Sequence, residues 1–236
     1  GIIGIGRIGT SMARNMSSKG IIVSLFDKSH NSLDNLKNDY PELESSLVFD
    51  DINKFISSIS KPRKVLVLVP SGPAIDKVIS LLIQYLDSND ILIDGGNTNP
   101  NVSFENHQTI KSKNLLYLGM GVSGGVKGVL EGPSIMIGGD TYAFDQVKNI
   151  FSQITSKTIN GSKSFELFGD SNQGHFVKMI HNGIEYVEMQ LISSIYYLMI
   201  NSKKYMYEDV AKIFKNWNDI DLKSYLLEIS LLKLTE

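Results

Sequence analysis

The sequence predicts an α/β protein, in which a doubly wound, mainly parallel sheet is followed by the start of an all-α domain. Three observations predict this architecture. Short apolar runs alternate with amphipathic stretches in the first part of the chain, a glycine-rich turn follows the first run, and only helical patterning continues beyond Gly169. We therefore expect two domains, residues 1–169 and residues 170–236, of which the second is truncated.

The predicted strands are short runs rich in Ile, Val and Leu. Because these runs are apolar throughout and do not alternate with polar residues, we expect helices to cover both faces of the sheet, as in parallel sheets. The first strand is expected around Ile2 and Ile3, and the others at residues 21–26, 65–69, 91–93, 115–118 and 134–137.

Apolar residues at helical spacing predict the remaining elements. In the stretch 74–86, four such residues fall on one helix face: Ile75, Val78, Ile79 and Leu82. The other helices are expected at residues 8–18, 142–154, 171 to about 203, 208–216 and from 222 onward. The chain starts inside an apolar run without a Met and ends inside a helical pattern without a cap, so we expect a fragment.

The composition excludes several classes of function. The 23 Lys and Arg residues nearly balance the 25 Asp and Glu residues, so no broad basic surface for nucleic acid is expected. Without cysteine there is no disulfide and no thiolate metal site, and no metal is expected. No apolar run reaches the roughly 18 residues of a membrane span. The lack of cysteine fits a reducing cytosol, and we expect a cytoplasmic protein. His30 and His107 are expected at the surface.

The first motif with chemical meaning is the glycine turn between the first strand and the first helix. Gly4, Gly6 and Gly9 form the pattern GxGxxG. The first glycine permits a tight turn, the second lets a pyrophosphate approach the backbone, and the third lets the helix pack closely on the strand. The second strand ends in Asp27, at about the 20-residue spacing of the acid that binds ribose hydroxyls. This context predicts a Rossmann-type domain that binds a nicotinamide dinucleotide.

The residues at the end of the second strand leave the choice between NAD and NADP open. The carboxylate of Asp27 favours two ribose hydroxyls and repels a 2′-phosphate, which points to NAD. Lys28 beside it could instead hold that phosphate as a point charge, which points to NADP.

Three further polar segments are expected at the carboxyl end of the sheet, where doubly wound folds bind their ligands. Residues 94–97 follow one predicted strand directly, and residues 121–125 follow the next. The third segment, residues 174–186, carries four polar residues on one helix face: Lys178, His181, Asn182 and Glu185. By itself a Lys and a Glu seven residues apart are typical of a solvated helix surface, so their interpretation depends on the other two segments.

These segments resemble the signature segments of the 6-phosphogluconate dehydrogenase (decarboxylating) family. The resemblance covers essentially the whole chain, including Lys61-Pro62-Arg63, Gly132-Pro133-Ser134 and the region of Trp217-Asn218. The stretch GHFVKMIHNGIEY is the most specific part of it. The wider β-hydroxyacid dehydrogenases share the glycine turn and the pair Lys178 and Asn182, but not His181 with Glu185.

The resemblance implies oxidative decarboxylation of 6-phospho-D-gluconate to D-ribulose 5-phosphate and carbon dioxide, a reaction of the pentose phosphate pathway. Lys178 would be the general base and Glu185 the general acid. Substrate binding would fall to Asn97, Ser123, Gly124, Gly125, His181, Asn182 and Tyr186. Cofactor binding would fall to Gly4, Ile5, Gly6, Arg7, Ile8, Gly9, Asp27, Lys28, Ser29, Val69, Pro70, Ser71 and Asn97. The resemblance also implies a homodimer, and further phosphate-binding residues beyond residue 236.

Three departures from the family pattern bear on the cofactor. NADP-using members typically carry Asn-Arg-Thr where this chain has Asp27-Lys28-Ser29. The family's lysine after the fourth strand is replaced in residues 69–72, and Val126 stands where an acidic residue is common. These changes resemble the NAD-using branch, whereas the long helix resembles the larger branch, in which NADP is usual. NAD and NADP rank close to even, with a slight preference for NADP.

Two alternatives remain. Another β-hydroxyacid dehydrogenase, of the 3-hydroxyisobutyrate type, would carry out the hydride step without decarboxylation, and His181 with Glu185 argue against it. A non-catalytic Rossmann-fold binding protein is the second alternative, and the retention of Lys178, Asn182 and Glu185 argues against that.

Overall fold

The computed structural model describes residues 1–29, 33 and 36–235. The chain forms two compact units, Gly1–Met179 and Ile180–Glu236. The first unit contains an eight-stranded, mainly parallel sheet with helices, and the described part of the second is helical, so the predicted fold class is confirmed. The predicted domain boundary near Gly169 stays a prediction. The expectation for His30 lies outside the described residues.

The sheet has the strand order β3-β2-β1-β4-β5-β6-β7-β8. Its strands are β1 Ile2–Ile3, β2 Ser24–Phe26, β3 Leu47–Phe49, β4 Lys64–Val67, β5 Ile91–Asp94, β6 Leu116–Ser123, β7 Ser134–Gly139 and β8 Phe165–Leu167. All neighbouring strands are parallel except β6 and β7. The winding reverses between β1 and β4, which is the point where doubly wound sheets open a crevice for ligands.

The helices of the first unit lie between these strands along the chain, except the last, which follows β8. They are α1 Arg7–Ser18, α2 Leu36–Asp39, α3 Ile52–Ser57, α4 Pro73–Leu82, α5 Pro100–Lys111, α6 Gly125–Glu131, α7 Thr141–Ile154 and the start of α8 Gln173–Asn201, with a 3₁₀ turn at Pro41–Leu43. Local chemistry explains several starts. The Asp51 side chain accepts a hydrogen bond from the Lys54 amide at 2.9 Å and caps α3, and Asn99 caps α5 in the same way. Proline, whose missing N–H costs nothing in a first turn, opens α4.

Both faces of the sheet are buried, as the continuous apolar runs predict. Successive residues of one strand enter opposite hydrophobic clusters: Ile2 packs in one cluster and Ile3 in the other. In β5, Ile91 and Ile93 belong to the first cluster and Leu92 to the second. A strand buried on both sides has no solvated face, which is why its sequence does not alternate.

The second unit contains the rest of α8 together with α9 Tyr207–Asp219 and α10 Tyr225–Thr235. Its core is small. Val210, Phe214 and Leu227 are buried there, and the rings of Phe214 and Trp217 stack with centroids 5.5 Å apart. No helix in the part of the chain that the structure describes is long and apolar enough to span a membrane.

The structure differs from the sequence-based expectations in several elements. Strands β3 and β8 and helices α3, α5 and α6 were not expected. The expectation that residues 121–125 follow the strand is wrong for residues 121–123, because β6 continues to Ser123, where it still pairs with Ser134 of β7. Helix α4 ends at Leu82, earlier than residue 86.

The expected surface position of His107 is wrong. This histidine is buried and stacks on the ring of Tyr117, with centroids 5.5 Å apart. Its Nε2 lies 3.5 Å from a carboxylate oxygen of Asp140. The helical register of α5 turns His107 towards the sheet, and α5 was not expected from the sequence.

Candidate active site

The segments predicted to bind the cofactor and the substrate follow strands of one parallel array. Residues 4–9 follow β1, Asp27 follows β2, residues 69–71 follow β4, Asn97 follows β5, and Gly124 follows β6. Because β2, β1, β4, β5 and β6 are parallel neighbours, their carboxyl ends lie at the same edge of the sheet. The structure therefore brings these segments of the first unit to one edge.

The glycine turn has a different steric requirement at each glycine. Gly4 has φ +94°, and a Cβ there would lie 2.6 Å from the Leu68 carbonyl oxygen. A Cβ at Gly9 would lie 1.9 Å from the Gly4 carbonyl oxygen. A Cβ at Gly6, by contrast, would meet nothing within 4 Å, and no side chain caps the α1 N-terminus there. The fold requires the first and third glycines, whereas the second borders open space at a helix N-terminus, where a pyrophosphate fits.

Asp27 is tied to this turn. One oxygen of its carboxylate accepts a hydrogen bond from the Ile5 amide at 2.8 Å, and the other accepts one from the Ser29 amide at 2.9 Å. These bonds fix the carboxylate beside the glycine turn. Each carboxylate oxygen keeps further lone-pair capacity, so Asp27 can also accept hydrogen bonds from ribose hydroxyls. The turn and Asp27 together fit a dinucleotide.

The residues predicted to contact the cofactor differ in exposure. Gly6, Arg7, Lys28, Ser29, Pro70, Ser71 and Asn97 are exposed. Ile8, Asp27 and Val69 are partly buried, and Gly4, Ile5 and Gly9 are buried. The exposed members can touch a ligand, through the backbone at Gly6 and through side chains at the others. The buried members contribute through backbone and packing.

Lys178 lies against β6 in the first unit. It is buried, with 8% of its surface exposed. A Cβ at Gly121 would lie 2.4 Å from the Lys178 Cβ, and a Cβ at Gly174 would lie 2.3 Å from the Gly119 carbonyl oxygen. Helix α8 therefore approaches the strand at backbone contact distance, and glycines on both elements make that approach possible.

The turn after β6 lies close in sequence to Gly121, the residue that Lys178 packs against. Ser123 ends the strand and is partly buried, while Gly124 and Gly125 are exposed. Their φ angles are +131° and +59°, in the left-handed region that favours glycine. Helix α6 starts at Gly125 without a side-chain cap. The turn therefore presents backbone groups to solvent, as expected for anion recognition.

Asp94, at the end of β5, organises the turn that carries Asn97. It is fully buried, and its two carboxylate oxygens accept hydrogen bonds from the Gly96 amide at 3.0 Å and the Thr98 hydroxyl at 2.8 Å. Asn97, between these two donors, is exposed. The sequence indicated this segment, but it did not indicate that Asp94 holds it.

A buried polar network joins Asp94 to α8. Asp94 and His175 lie in segments that the sequence indicated, but neither was given a role there, and Ser103 was not indicated at all. His175 Nε2 lies 3.1 Å from the Asp94 carbonyl oxygen, and His175 Nδ1 lies 2.8 Å from the Ser103 hydroxyl. The Ser103 hydroxyl lies 2.9 Å from the Tyr117 hydroxyl. Burial lowers the pKa of His175 and raises the pKa of Tyr117 well above its usual value, which favours the neutral form of both side chains. One signal existed: His175 lies on the same helix face as Lys178, three residues earlier.

The remaining predicted residues belong to the second unit. His181, Asn182, Glu185 and Tyr186 all lie on α8, which confirms the predicted helix. His181 Nδ1 lies 3.6 Å from a carboxylate oxygen of Glu185, and about one third of each side chain is exposed. Tyr186 is exposed. Helix α8 is continuous, so it carries both this set and Lys178 of the first unit. Among the described residues, no group of three or more His, Asp or Glu side chains could hold a metal ion.

Two family models match the chain. The NAD binding domain of 6-phosphogluconate dehydrogenase matches residues 1–162, and the 6-phosphogluconate dehydrogenase C-terminal domain matches residues 174–235. The decarboxylating 6-phosphogluconate dehydrogenase of Staphylococcus epidermidis is 38% identical over 230 residues, which cover 98% of this chain and 49% of that protein. The Staphylococcus aureus (strain N315) enzyme is 39% identical over 236 residues, with the same coverage. The chain spans about half the length of these curated relatives.

Solved structures agree with this family. A Plasmodium falciparum 6-phosphogluconate dehydrogenase, studied in its apo form and with NADP+ and 6-phosphogluconate, matches with a TM-score of 0.92 and 35% identity. That match covers all of this chain and 50% of the other. A Mycobacterium tuberculosis 3-hydroxyisobutyrate dehydrogenase matches with a TM-score of 0.75 at 18% identity, covering 95% of this chain and 71% of the other, and shares the fold alone. On the family models and these relatives, the chain belongs to the 6-phosphogluconate dehydrogenase family.

Proposed function

We propose that this chain supplies the dinucleotide-binding part and the proton-transfer residues of an enzyme that converts 6-phospho-D-gluconate to D-ribulose 5-phosphate and carbon dioxide. The observation that carries the proposal is the buried lysine at the carboxyl edge of the sheet, Lys178, packed on Gly121 close to the turn of Ser123 to Gly125. A lysine acts as a base only where its surroundings disfavour the ammonium form, and burial is one such condition.

The cofactor in this proposal is NADP or NAD, with a slight preference for NADP. When bound, the dinucleotide accepts a hydride at its nicotinamide. Thirteen residues would contact it: Gly4, Ile5, Gly6, Arg7, Ile8, Gly9, Asp27, Lys28, Ser29, Val69, Pro70, Ser71 and Asn97. The open space at Gly6 and the carboxylate of Asp27 support this assignment. The NADP+ complex of the Plasmodium relative supports NADP, whereas Asp27 favours NAD.

Lys178 would act first as the general base. Oxidation of a secondary alcohol needs a group that takes the hydroxyl proton as the hydride leaves. The hydroxyl in question is β to the carboxylate of the sugar acid, so the product is a β-keto acid. The ammonium group that Lys178 has then become can polarise the keto oxygen, which stabilises the enediol left when carbon dioxide departs.

Glu185 would act as the general acid that completes the reaction. The enediol becomes ribulose 5-phosphate when its carbon gains a proton, which a carboxylic acid can donate, and its hydroxyl loses one, which Lys178 can take back. The histidine next to it, His181, lies 3.6 Å from the Glu185 carboxylate and can accept a hydrogen bond from substrate or supply one. This step balances the one that Lys178 begins, because a proton is removed from oxygen and another is returned to carbon.

Seven residues would hold the sugar acid: Asn97, Ser123, Gly124, Gly125, His181, Asn182 and Tyr186. The exposed backbone of Gly124 and Gly125 supports an anionic ligand at the turn after β6. The family resemblance also supports a homodimer, a cytoplasmic location, and a domain boundary near Gly169. The 6-phosphogluconate complex of the Plasmodium relative supports the choice of substrate.

The experiment that tests this function is a turnover assay of the full-length gene product with 6-phosphogluconate, using NAD and NADP separately. We expect reduced cofactor to form, and the Lys178→Met variant to lose at least about 1000-fold in kcat, as the removal of a proton-transfer group does. Absence of turnover with both cofactors contradicts the proposal. Turnover that survives Lys178→Met contradicts the role of Lys178.

A further inference from the structure

His175 lies one helical turn before Lys178 and has no direct place in the proposed chemistry. It is buried, with 2% of its surface exposed, and both of its ring nitrogens face hydrogen-bonding groups. Nε2 lies 3.1 Å from the carbonyl oxygen of Asp94, which ends β5. Nδ1 lies 2.8 Å from the hydroxyl of Ser103, on α5. One side chain therefore joins α8 to two other elements.

The partners determine which nitrogen carries the proton. A carbonyl oxygen can only accept, so Nε2 carries the hydrogen and donates it to Asp94. In a neutral ring Nδ1 then accepts from the Ser103 hydroxyl. The single proton of the Tyr117 hydroxyl faces two acceptors, the Ser103 oxygen at 2.9 Å and a carboxylate oxygen of Asp94 at 3.3 Å. Ser103 and His175 thus link to the Asp94 backbone, and Tyr117 bridges Ser103 and the Asp94 side chain. Such a network holds each member in one orientation.

Asp94 also makes hydrogen bonds within the turn that carries Asn97. Its carbonyl oxygen accepts from His175, while its carboxylate accepts from the Gly96 amide at 3.0 Å and the Thr98 hydroxyl at 2.8 Å. Asn97 is exposed, so packing does not fix its position. Its position therefore depends on the hydrogen bonds that Gly96 and Thr98 make to Asp94. The same residue thus faces the helix of Lys178 with its backbone and the turn of Asn97 with its side chain.

We propose that His175, through its hydrogen bond to Asp94, is a positioning residue that sets the place of Lys178 relative to the Asn97 turn. The inference rests on the proposed function, because it is the role of Lys178 as a base that makes its position matter. A base must lie within hydrogen-bond reach of its proton, and a displacement of about 1 Å costs on the order of 100-fold in rate.

The test compares three variants of the full-length gene product. His175→Leu removes both hydrogen bonds at similar volume. His175→Gln keeps an N–H donor that can reach the Asp94 carbonyl. The control is Asp90→Asn, at the opposite end of β5, where a buried carboxylate accepts from the Arg63 amide at 2.7 Å and from its guanidinium at 2.8 Å. This control is expected to lower stability just before the same strand, without touching the Asn97 turn.

Two readouts are measured for each variant: kcat with KM for 6-phosphogluconate and the cofactor, and amide hydrogen exchange at residues 96–98 and 175–178. We expect His175→Leu to lower kcat by about 100-fold, and to raise exchange in both segments together. We expect His175→Gln to recover to within about tenfold of the wild type, and Asp90→Asn to lower the Tm while kcat stays within about twofold.

Several outcomes overturn the inference. These are a His175→Leu kcat within about twofold of the wild type, an equal kcat loss in Asp90→Asn, or exchange at residues 96–98 that His175→Leu leaves unchanged. If the wild type does not turn over 6-phosphogluconate, the proposed function fails, and the exchange data alone decide whether His175 holds the two segments together. The two failures are therefore distinguishable.

Discussion

At the scale of single residues, two glycines of the glycine turn are required by the fold, whereas the third is explained by a ligand. Gly4 and Gly9 are required by backbone contacts and, at Gly4, by a positive φ. Gly6 has φ −80° and no atom near its absent Cβ. The fold therefore does not explain a glycine at this position, and the approach of a pyrophosphate does.

Gly6→Ala tests that distinction. Alanine suits the backbone at this position, so we expect an unchanged Tm. The added methyl group occupies the space of the pyrophosphate, so we expect the Kd for NAD and NADP to rise by at least about tenfold, measured by calorimetric titration. Gly128→Ala, on α6 and also without neighbours at its Cβ, is the matched control and should leave both Kd values unchanged. An unchanged Kd in Gly6→Ala contradicts the placement of the pyrophosphate.

The proposed contact of Asp27 with the cofactor ribose makes a second prediction at the scale of single residues. Asp27→Asn removes a negative charge but can keep the hydrogen bond from the Ile5 amide, because an amide oxygen also accepts. We expect NADP binding to improve relative to NAD binding, because the repulsion of the 2′-phosphate is lost. The measurement is the ratio of the two Kd values. A ratio that shifts towards NAD contradicts the assignment of Asp27 to the ribose.

At the scale of elements, the contact of α8 with β6 determines where Lys178 lies. Glycines on both elements bring the helix backbone onto the strand, and Gly121 faces Lys178 itself. Side chains usually separate a helix from a sheet, so this contact depends on small residues at particular positions. The position of Lys178 is therefore a consequence of packing as much as of helical spacing.

Gly121→Ala tests this contact. The new Cβ would lie 2.4 Å from the Lys178 Cβ, so α8 or β6 must shift. We expect a loss of about 1–3 kcal/mol in the free energy of unfolding, as overpacking usually costs, and a loss of about 100-fold in kcat. Denaturant unfolding and a turnover assay measure the two effects, with Gly128→Ala again as the control. A normal kcat in a destabilised protein contradicts the link between this contact and Lys178.

The elements also show what the sequence could and could not predict. Long periodic patterns such as α1, α7 and α8 were predicted to within about two residues at most ends, because burial of one face dominates their sequence. Strands β3 and β8 are three residues long and carry too little pattern to be recognised. The extension of β6 to Ser123 depends on pairing with β7, which no local pattern of β6 reveals.

The candidate site likewise has one part that could be predicted from the sequence and one part that could not. The sequence predicted which polar segments follow strands, because each segment is adjacent in sequence to an apolar run, and in a doubly wound fold ligands bind at the carboxyl ends of the strands. It did not predict the network of His175, Ser103 and Asp94, because His175 is separated by 72 residues from Ser103 and by 81 from Asp94. Contacts at such a distance along the chain become visible only when the fold has placed β5, α5 and α8 together.

At the scale of the whole molecule, buried ionisable groups couple stability to pH. Burial lowers the pKa of His175 below its ordinary 6.5. The unfolded chain therefore binds a proton at this residue more readily than the folded chain does. The stability that the neutral ring contributes is fully present above pH 6.5 and is lost as the pH falls below it, towards the folded pKa.

A comparison of Tm against pH in the wild type and His175→Gln measures this effect. Between pH 8 and about pH 5 we expect the wild-type Tm to fall more steeply below pH 6.5 than the Tm of the variant, which has no titrating ring at this position. The difference between the two curves isolates His175 from the other histidines. Parallel curves contradict a buried, neutral His175.

The proposed reaction as a whole is tested most directly by the stoichiometry of carbon dioxide. The full-length gene product is supplied with 6-phosphogluconate labelled at its carboxyl carbon, and released carbon dioxide and reduced cofactor are counted together. We expect one labelled carbon dioxide for each cofactor reduced, and the loss of both in Lys178→Met. Reduced cofactor without carbon dioxide would contradict it, because that result describes a β-hydroxyacid dehydrogenase that oxidises its substrate and stops there.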